Sequence, residues 1–144
     1  MAYSGYLIKV GYGSSAYTIP LDFIKAESYK VTRLVQDLDS YRDTDGVLHR
    51  NALSKVAIKA EFECVPMLTN TEITAVVNAI RSRFDTAAER KLNVTLYVPE
   101  TDSYATDIEM YMPDPEYNMY YADSSKIQYN SVRFAFIGYG ASGI

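Results

Sequence analysis

The chain has 144 residues, 48% of them hydrophobic and 22% charged, which excludes a disordered chain and allows one continuous core. Its formal net charge is −4 and it has no basic run, so it lacks the cationic stripe of a protein that clamps nucleic acid. Fourteen tyrosines with no tryptophan favour strands whose surfaces are half-buried or meet a partner.

The single cysteine and the short apolar runs argue against an intrachain disulfide, a signal peptide and a membrane span. Cys64 can form no intrachain disulfide, and its place at the end of an alternating apolar run predicts a small buried side chain. Residues 1–5 lack the basic and apolar segments of a signal peptide, and no apolar run approaches the ~18 residues of a membrane span. We therefore expect a soluble protein, made in a cytoplasm and without a membrane span.

The first half of the chain predicts strands where runs of β-branched and aromatic residues end at glycine or proline. These runs are residues 6–10, 16–19, 28–38 and 55–63. The last is the clearest, because its apolar residues alternate with charged ones, which is typical of a strand with one buried and one solvated face. The inward-facing set is Val56, Ile58, Ala60 and Phe62.

One amphipathic helix follows. Thr69 and Glu72 have the spacing of a capping box, in which each side chain satisfies a backbone amide of the first helical turn. Apolar residues then recur at helical spacing and form a single stripe. The stripe consists of Ile73, Val76, Val77, Ile80 and Phe84. It predicts a helix that packs one face on a sheet.

The second half returns to strands, at residues 92–96, 104–112, 118–122 and 127–139. In the second of these, strict alternation predicts that one face is shared by Tyr104, Thr106, Ile108, Met110 and Met112. The last run is apolar on both faces, which predicts a central or covered strand. The expected fold is mainly β, a β-sandwich or partly closed barrel with one flanking α-helix, as a single domain over residues 1–144.

Motifs that suggest catalysis or nucleotide binding are incomplete. Glycine-rich segments 11–16 and 138–143 each follow a predicted strand, but no helix N-terminus comes next to present amides to a phosphate. The one histidine, His49, has no second histidine or cysteine nearby in sequence and no nucleophile elbow. We therefore expect no enzyme, no catalytic residue and no cofactor.

The segment Asp43-Thr44-Asp45-Gly46 resembles part of a calcium loop. If Gly46 is the sixth position of an EF-hand loop, Tyr41 and Ala52 occupy the first and twelfth positions, where acidic ligands are required. A β-turn is the better interpretation, and we expect no metal site.

Residues 36–53 predict a projecting hairpin around the Asp45-Gly46 turn. Its flanks hold few core-forming residues, yet its large side chains are unlike those of a disordered linker. The segment is either an arm that docks on a neighbouring subunit or an exposed hairpin without a partner, and composition alone leaves both open. For the docking arm, the expected interface residues are Asp37, Asp39, Tyr41, Arg42, Asp45, Gly46, Leu48, His49 and Arg50.

Several short segments carry a family resemblance. They are residues 17–20 (YTIP), 37–42 (DLDSYR), 46–51 (GVLHRN), 89–92 (ERKL), 99–104 (PETDSY) and 129–134 (YNSVRF). With them, most of the chain resembles a family of small structural proteins encoded in the tail-gene region of tailed phages and prophages. These segments are marks of recognition and not catalytic signatures, so they favour the docking arm and a role in the virion.

The layout also resembles tail-tube proteins and the tube-like domain of distal tail proteins, in which a β-sandwich or half-barrel carries one helix and a long hairpin. That resemblance implies a homo-oligomer, a hexameric ring in the virion tail, assembled in the host cytoplasm. It implies contacts with other tail proteins, including the tape-measure protein, and non-specific passage of DNA. The implied part is tail tube, distal tail or baseplate hub, or tail adaptor. Baseplate proteins often carry a second outer domain, for which this chain has no room.

A different class of function remains open. The chain could be a monomeric carbohydrate- or receptor-binding β-sandwich module at a tail tip, with exposed tyrosines stacked on sugar faces. The candidate residues are Tyr111, Tyr117, Tyr120 and Tyr121. Self-association separates the two hypotheses, because a ring subunit requires it and a tip module does not.

Overall fold

The computed structural model describes residues 3–141, in which twelve strands accompany one α-helix. The elements before the helix are β1 (Ile8–Val10), β2 (Tyr17–Thr18), β3 (Lys30–Asp37), β4 (Tyr41–Arg42), β5 (Leu48–His49), β6 (Ala52–Glu63) and β7 (Leu68–Thr69). The helix α1 (Asn70–Arg81) is followed by β8 (Lys91–Val98), β9 (Ser103–Tyr111), β10 (Met119–Ala122), β11 (Ile127–Tyr129) and β12 (Arg133–Gly138). Among these residues, no helix has the length and apolar character needed to cross a bilayer.

The strands form three antiparallel sheets. The largest has the order β2-β1-β8-β9-β12-β6-β3, the second has the order β10-β11-β7, and β4 pairs with β5 alone. The predicted fold class, mainly β with one helix, is confirmed. The prediction of a central final strand is also confirmed, because β12 lies between β9 and β6.

The large sheet curls toward a barrel. The Tyr29 hydroxyl, just before β3, donates a 2.6 Å hydrogen bond to the backbone carbonyl of Tyr97 in β8. Further along β3, Arg33 lies 3.3 Å from the Glu100 carboxylate in the β8–β9 connection. Three strands separate β3 from β8 in the sheet order, so these contacts require a strongly coiled sheet. The partly closed barrel describes this curvature better than a flat-layered sandwich.

Helix α1 packs its apolar face against the core. The capping box is present, with the Thr69 hydroxyl accepting from the Glu72 amide and the Glu72 carboxylate accepting from the Thr69 amide. Ile73, Val76 and Ile80 are buried, which confirms most of the predicted stripe. The core they meet is centred on the fully buried aromatic residues Phe62, Phe134 and Phe136.

Phe84 departs from the predicted stripe. The helix ends at Arg81, so Phe84 lies in the following turn, half-buried, with the Arg90 guanidinium 5.0 Å from the centre of its ring. Helical spacing predicted that Phe84 is buried, and it is half-buried. It does not lie on the apolar face of α1, because the helix ends three residues earlier.

The predicted alternation in β9 is wrong at Thr106, which is exposed, whereas Ala105 and Ile108 are buried. The strand register shifts there, and Asp107 has a positive φ of 54°. This β-bulge places one extra residue between inward-facing positions. The Asp107 carboxylate accepts a 3.0 Å hydrogen bond from the amide of Asn93, a buried polar side chain on β8.

The predicted strand 127–139 is two strands in different sheets. β11 belongs to the small sheet and β12 to the large one, and the chain crosses between them over residues 130–132. At the crossing, the Val132 amide donates to the thiol of Cys64, which is completely buried. Burial raises the pKa of that thiol. The prediction that Cys64 is a small core residue is confirmed.

Candidate assembly interface

The hairpin between β3 and β6 is the best-defined surface feature among the predicted sites. The two strands remain paired as far as Asp37 and Ala52, so the regular sheet extends further than the sequence pattern indicated. Beyond that pair, β4 and β5 form a short ladder in which Tyr41 faces His49 and Arg42 faces Leu48. We call residues 38–51 the arm.

Asp43 organises the turn at the end of the arm. Its backbone carbonyl accepts from the Gly46 amide at 3.0 Å, and its carboxylate Oδ1 accepts from the amides of Asp45 and Val47, each at 3.0 Å. Gly46 has a φ of +83°, which glycine adopts without steric cost. Arg42 donates to the Gly46 carbonyl at 2.9 Å and ties the strand to the turn. The turn is therefore closed by its own side chains.

A second contact braces the same turn. His49 Nε2 lies 2.9 Å from the other carboxylate oxygen of Asp43, and the His49 and Tyr41 rings stack with centres 4.9 Å apart. The hydrogen bond with His49 holds the pKa of Asp43 below its ordinary value, and the bond from the Val47 amide adds to the effect. Within residues 3–141, no group of three or more His, Cys, Asp or Glu side chains is arranged to hold a metal ion.

The base of the arm is held by an ion pair. Arg50 donates two hydrogen bonds to the Asp37 carboxylate, at 2.8 and 3.1 Å, and they lower the pKa of Asp37. Across the strands, the Leu38 amide donates to the Asn51 carbonyl at 2.9 Å, and the Asn51 amide donates to the Ser40 hydroxyl at 3.2 Å. Bidentate pairing of this kind fixes geometry as well as charge. The arm is thus an ordered hairpin.

Large apolar side chains on and beside the arm are exposed. On the arm itself, Leu38, Tyr41, Val47 and Leu48 keep 52%, 59%, 54% and 44% of their surface accessible. At the ends of β3 and β6, the exposed apolar residues are Leu34, Val35 and Leu53. Scattered single apolar residues are ordinary on a protein surface, whereas these are concentrated on one ordered segment and the strands beside it.

The predicted interface residues divide into two groups. Tyr41, Arg42, Gly46, Leu48 and His49 come together around the turn, and Asp37 and Arg50 pair at the base. Asp39 and Asp45 are exposed and form no ion pair with any residue that the structure describes.

Sequence reasoning missed Asp43 as the residue that organises the turn. An aspartate that opens a turn and accepts from amides two and four residues later is a known local pattern and could have been found. It also missed the exposed apolar residues Leu34, Val35 and Leu53, because the run containing the first two was predicted only as a strand, without a prediction of which side chains face outward.

The candidate tyrosines do not form one platform. Tyr117, Tyr120 and Tyr121 lie on or beside β10 and are exposed. Tyr111 belongs to β9 in the other sheet, where it is half-buried and its ring packs 5.6 Å from that of Tyr139.

Comparison with known families decides the membership of the chain. Residues 1–139 match the model of a family of unknown function, DUF6711. The chain is a member of the DUF6711 family. Among curated proteins, none matches it significantly.

Two solved structures resemble this DUF6711 protein in layout. One is a chain from the tail of an empty gene transfer agent particle with C6 symmetry, 12% identical, with a TM-score of 0.47. The other is a chain from the virion of a native gene transfer agent particle, 13% identical, also with a TM-score of 0.47. Each alignment covers 97% of this chain and 96% of the other. At these identities and TM-scores, the likeness assigns no function to this chain.

Proposed function

We propose that this protein is a virion structural protein, a subunit that self-associates into a ring of a phage tail. The observation that carries the proposal is the arm, an ordered hairpin whose exposed apolar side chains are not among the described residues that form the core or pack against it. Ordering an exposed hairpin has an entropic cost, and leaving leucine, valine and tyrosine in water has a further cost. Docking on a neighbouring subunit removes that apolar surface from water.

The edges of the large sheet support the same proposal. β3 is an eight-residue edge strand that pairs with β6 alone among the strands of residues 3–141, and Leu34 and Val35 on it are exposed. A long edge of this kind can pair with another chain, and rotational closure into a ring satisfies it without open-ended aggregation. The sequence resemblance to small tail-region proteins supplies the class of assembly, and the resemblance in layout to tail-tube proteins implies a hexamer.

Within the tail, the proposed parts are tail tube, distal tail or baseplate hub, or tail adaptor. The proposed partners are further copies of the chain, other tail proteins and the tape-measure protein. The net charge of −4 suits a conduit through which DNA passes without being held. No catalytic role is part of the proposal.

The deciding experiment shortens the arm. Replacing residues 38–50 by a short Gly-Ser turn removes the docking surface, and the strand pair at its base remains. We expect a protein that still melts cooperatively but forms no rings or tubes and is not incorporated into particles. Light scattering and negative-stain microscopy on both forms measure this, and particle incorporation is the stricter readout. Unchanged assembly of the shortened form would refute the docking arm.

The exposed tyrosines on β10 favour one second candidate, a monomeric carbohydrate- or receptor-binding module. Tyr120 and Tyr121 keep 55% and 47% of their surface accessible on a strand with a free edge. A wild-type protein that remains monomeric at high concentration, and binds glycans in a way that depends on these tyrosines, would replace the ring proposal with this one.

A further inference from the structure

A groove with exposed apolar surface lies between helix α1 and the segment that contains β10 and β11. Its floor contains Ile73 and Val77 from the helix, and its far wall contains Tyr117 and Tyr129, whose rings meet edge to face at 5.9 Å. Val77 is half-buried and Tyr117 keeps 41% of its surface accessible, so apolar surface in the groove is open to solvent. We call this the helix groove.

The helix groove has a cationic end. Arg81, in the last turn of α1, is exposed and lines the groove, whereas none of the lining residues is acidic. The neighbouring cation, Arg90, is paired with the Asp114 carboxylate at 3.1 Å. Arg81 has no ion pair within the part of the chain that the structure describes. Burial raises the pKa of the Tyr117 hydroxyl, and the Arg90 and Arg81 guanidinium groups oppose that rise.

The end of the arm has the complementary character. Asp45 lies at the exposed turn and forms no ion pair among the described residues, while Asp43 is engaged with His49 and Asp37 with Arg50. Val47 and Leu48 follow after Gly46, and both are exposed. An unpaired carboxylate beside two aliphatic side chains matches an unpaired guanidinium beside an apolar groove, in charge and in polarity.

The geometry points to a second copy of this chain as the occupant: we propose that the arm of one copy lies in the helix groove of the next, with Asp45 opposite Arg81 and with Val47 and Leu48 against Val77 and Tyr117. This inference rests on the proposed ring function and names the surface that receives the arm. Among the described residues, no hydrogen bond, ion pair or ring contact joins arm and groove within one chain. We take the contact to be between copies and head to tail, as the proposed ring requires.

A head-to-tail contact has a direct consequence for assembly. In a head-to-tail arrangement, each bound copy presents a free arm at one side and a free groove at the other, so the contact repeats until rotation closes a ring or stacks rings into a tube. The apolar contact supplies affinity, and the charge pair selects orientation, because a reversed arm leaves both charges unpaired.

A charge-reversal cycle on the full-length protein tests the pairing. Asp45→Arg and Arg81→Asp are each expected to weaken self-association by about tenfold or more, because each places like charges together. The double variant, Asp45→Arg with Arg81→Asp, is expected to restore it. Asp22→Arg, which reverses an exposed carboxylate that belongs neither to the arm nor to the groove lining, is the matched control and should associate as the wild type does. Sedimentation velocity measures association, and cooperative melting of every variant shows that each is folded.

The outcomes separate the groove from the ring function. Restoration in the double variant supports the pairing. If the single groove variant associates normally while the shortened arm does not, the helix groove is the wrong receiving surface and the ring proposal stands. If both single variants weaken association and the double variant does not recover, Asp45 and Arg81 do not face each other, which overturns the pairing. A wild-type protein that does not self-associate at any concentration overturns groove and ring together.

Discussion

The hydroxyl of Tyr29 donates a 2.6 Å hydrogen bond to the backbone carbonyl of Tyr97, across three intervening strands of the large sheet. The two residues are 68 positions apart in sequence, so this bond joins β3 to β8 only because the sheet coils. Since β3 also begins the hairpin, the bond anchors the strand that supports the arm. The curvature of the sheet and the position of the candidate interface are thus linked through one side chain.

Removing that hydroxyl should weaken the fold. We expect Tyr29→Phe to lower the free energy of unfolding by about 1–2 kcal/mol at neutral pH, because a backbone carbonyl loses its donor. Tyr120→Phe, on an exposed ring, should change it by less than about 0.5 kcal/mol. Urea unfolding followed by circular dichroism measures both. Equal effects would mean that the bond does not contribute to the stability of the curled sheet.

The same residue predicts a loss of stability in alkali. Burial raises the pKa of Tyr29 above its ordinary value of 10.0. A raised folded-state pKa means that the folded state keeps its proton longer, so the contribution is complete below pH 10 and is lost as the pH rises toward the folded value. We expect the free energy of unfolding to fall above about pH 10, with a shallower slope in Tyr29→Phe. Identical slopes in the two proteins would contradict this assignment.

The inward face of α1 should dominate the stability of the helix. Ile80 is completely buried, and truncating it leaves a cavity, so Ile80→Ala should destabilise the protein by about 2–5 kcal/mol. Asn78→Ala changes an exposed position to a stronger helix former, and its effect should lie within about 0.5 kcal/mol. Thermal and urea unfolding compare the two. Similar losses for both variants would show that the helix face is assigned wrongly.

The bulge in β9 should tolerate asparagine and resist alanine. Asp107 holds a positive φ of 54° and accepts from the buried Asn93 amide. Asparagine tolerates that backbone conformation and keeps the carbonyl acceptor, whereas alanine loses the acceptor and strains the backbone. We expect Asp107→Ala to cost about 2–3 kcal/mol and Asp107→Asn less than about 1 kcal/mol in unfolding free energy. The opposite order would exclude the bulge as the reason for aspartate here.

The turn of the arm should loosen in acid. The pKa of Asp43 lies below its ordinary value of 3.8, chiefly through its hydrogen bond with His49. A lowered folded-state pKa means that the stabilisation is complete above 3.8 and is lost as the pH falls through the folded value. In an NMR titration, the amide signals of Asp45 and Val47, which donate to this carboxylate, should therefore shift with a midpoint below 3.8.

His49→Gln is the control for that titration. Without the imidazole, the midpoint should move upward toward 3.8. A wild-type midpoint at or above the ordinary value would show that the Asp43–His49 contact does not hold the turn in solution.

Much of the local structure follows from the sequence alone, because it depends on residues a few positions apart. The capping box at Thr69 needs only Glu72, and the turn at Asp43 needs only the amides and side chains that follow within six residues. The alternation of β6 requires only the pleat of its own backbone. For the same reason, the existence of the hairpin and most of its candidate residues could be predicted, although their docking role stays a proposal.

What only the tertiary structure decided are the features that depend on distant neighbours. The bulge at Asp107 exists because β8 and β9 change register beside Asn93. The alternation of apolar and polar residues along β9 does not indicate that shift. The run 127–139 is divided between two sheets because its halves meet different strands. The helix groove likewise arises only where α1, Tyr117 and Tyr129 come together. The spacing of apolar residues and the residue types at turns act through the local backbone. Strand register, sheet curvature and grooves instead arise from pairings between distant segments, which come together only on folding.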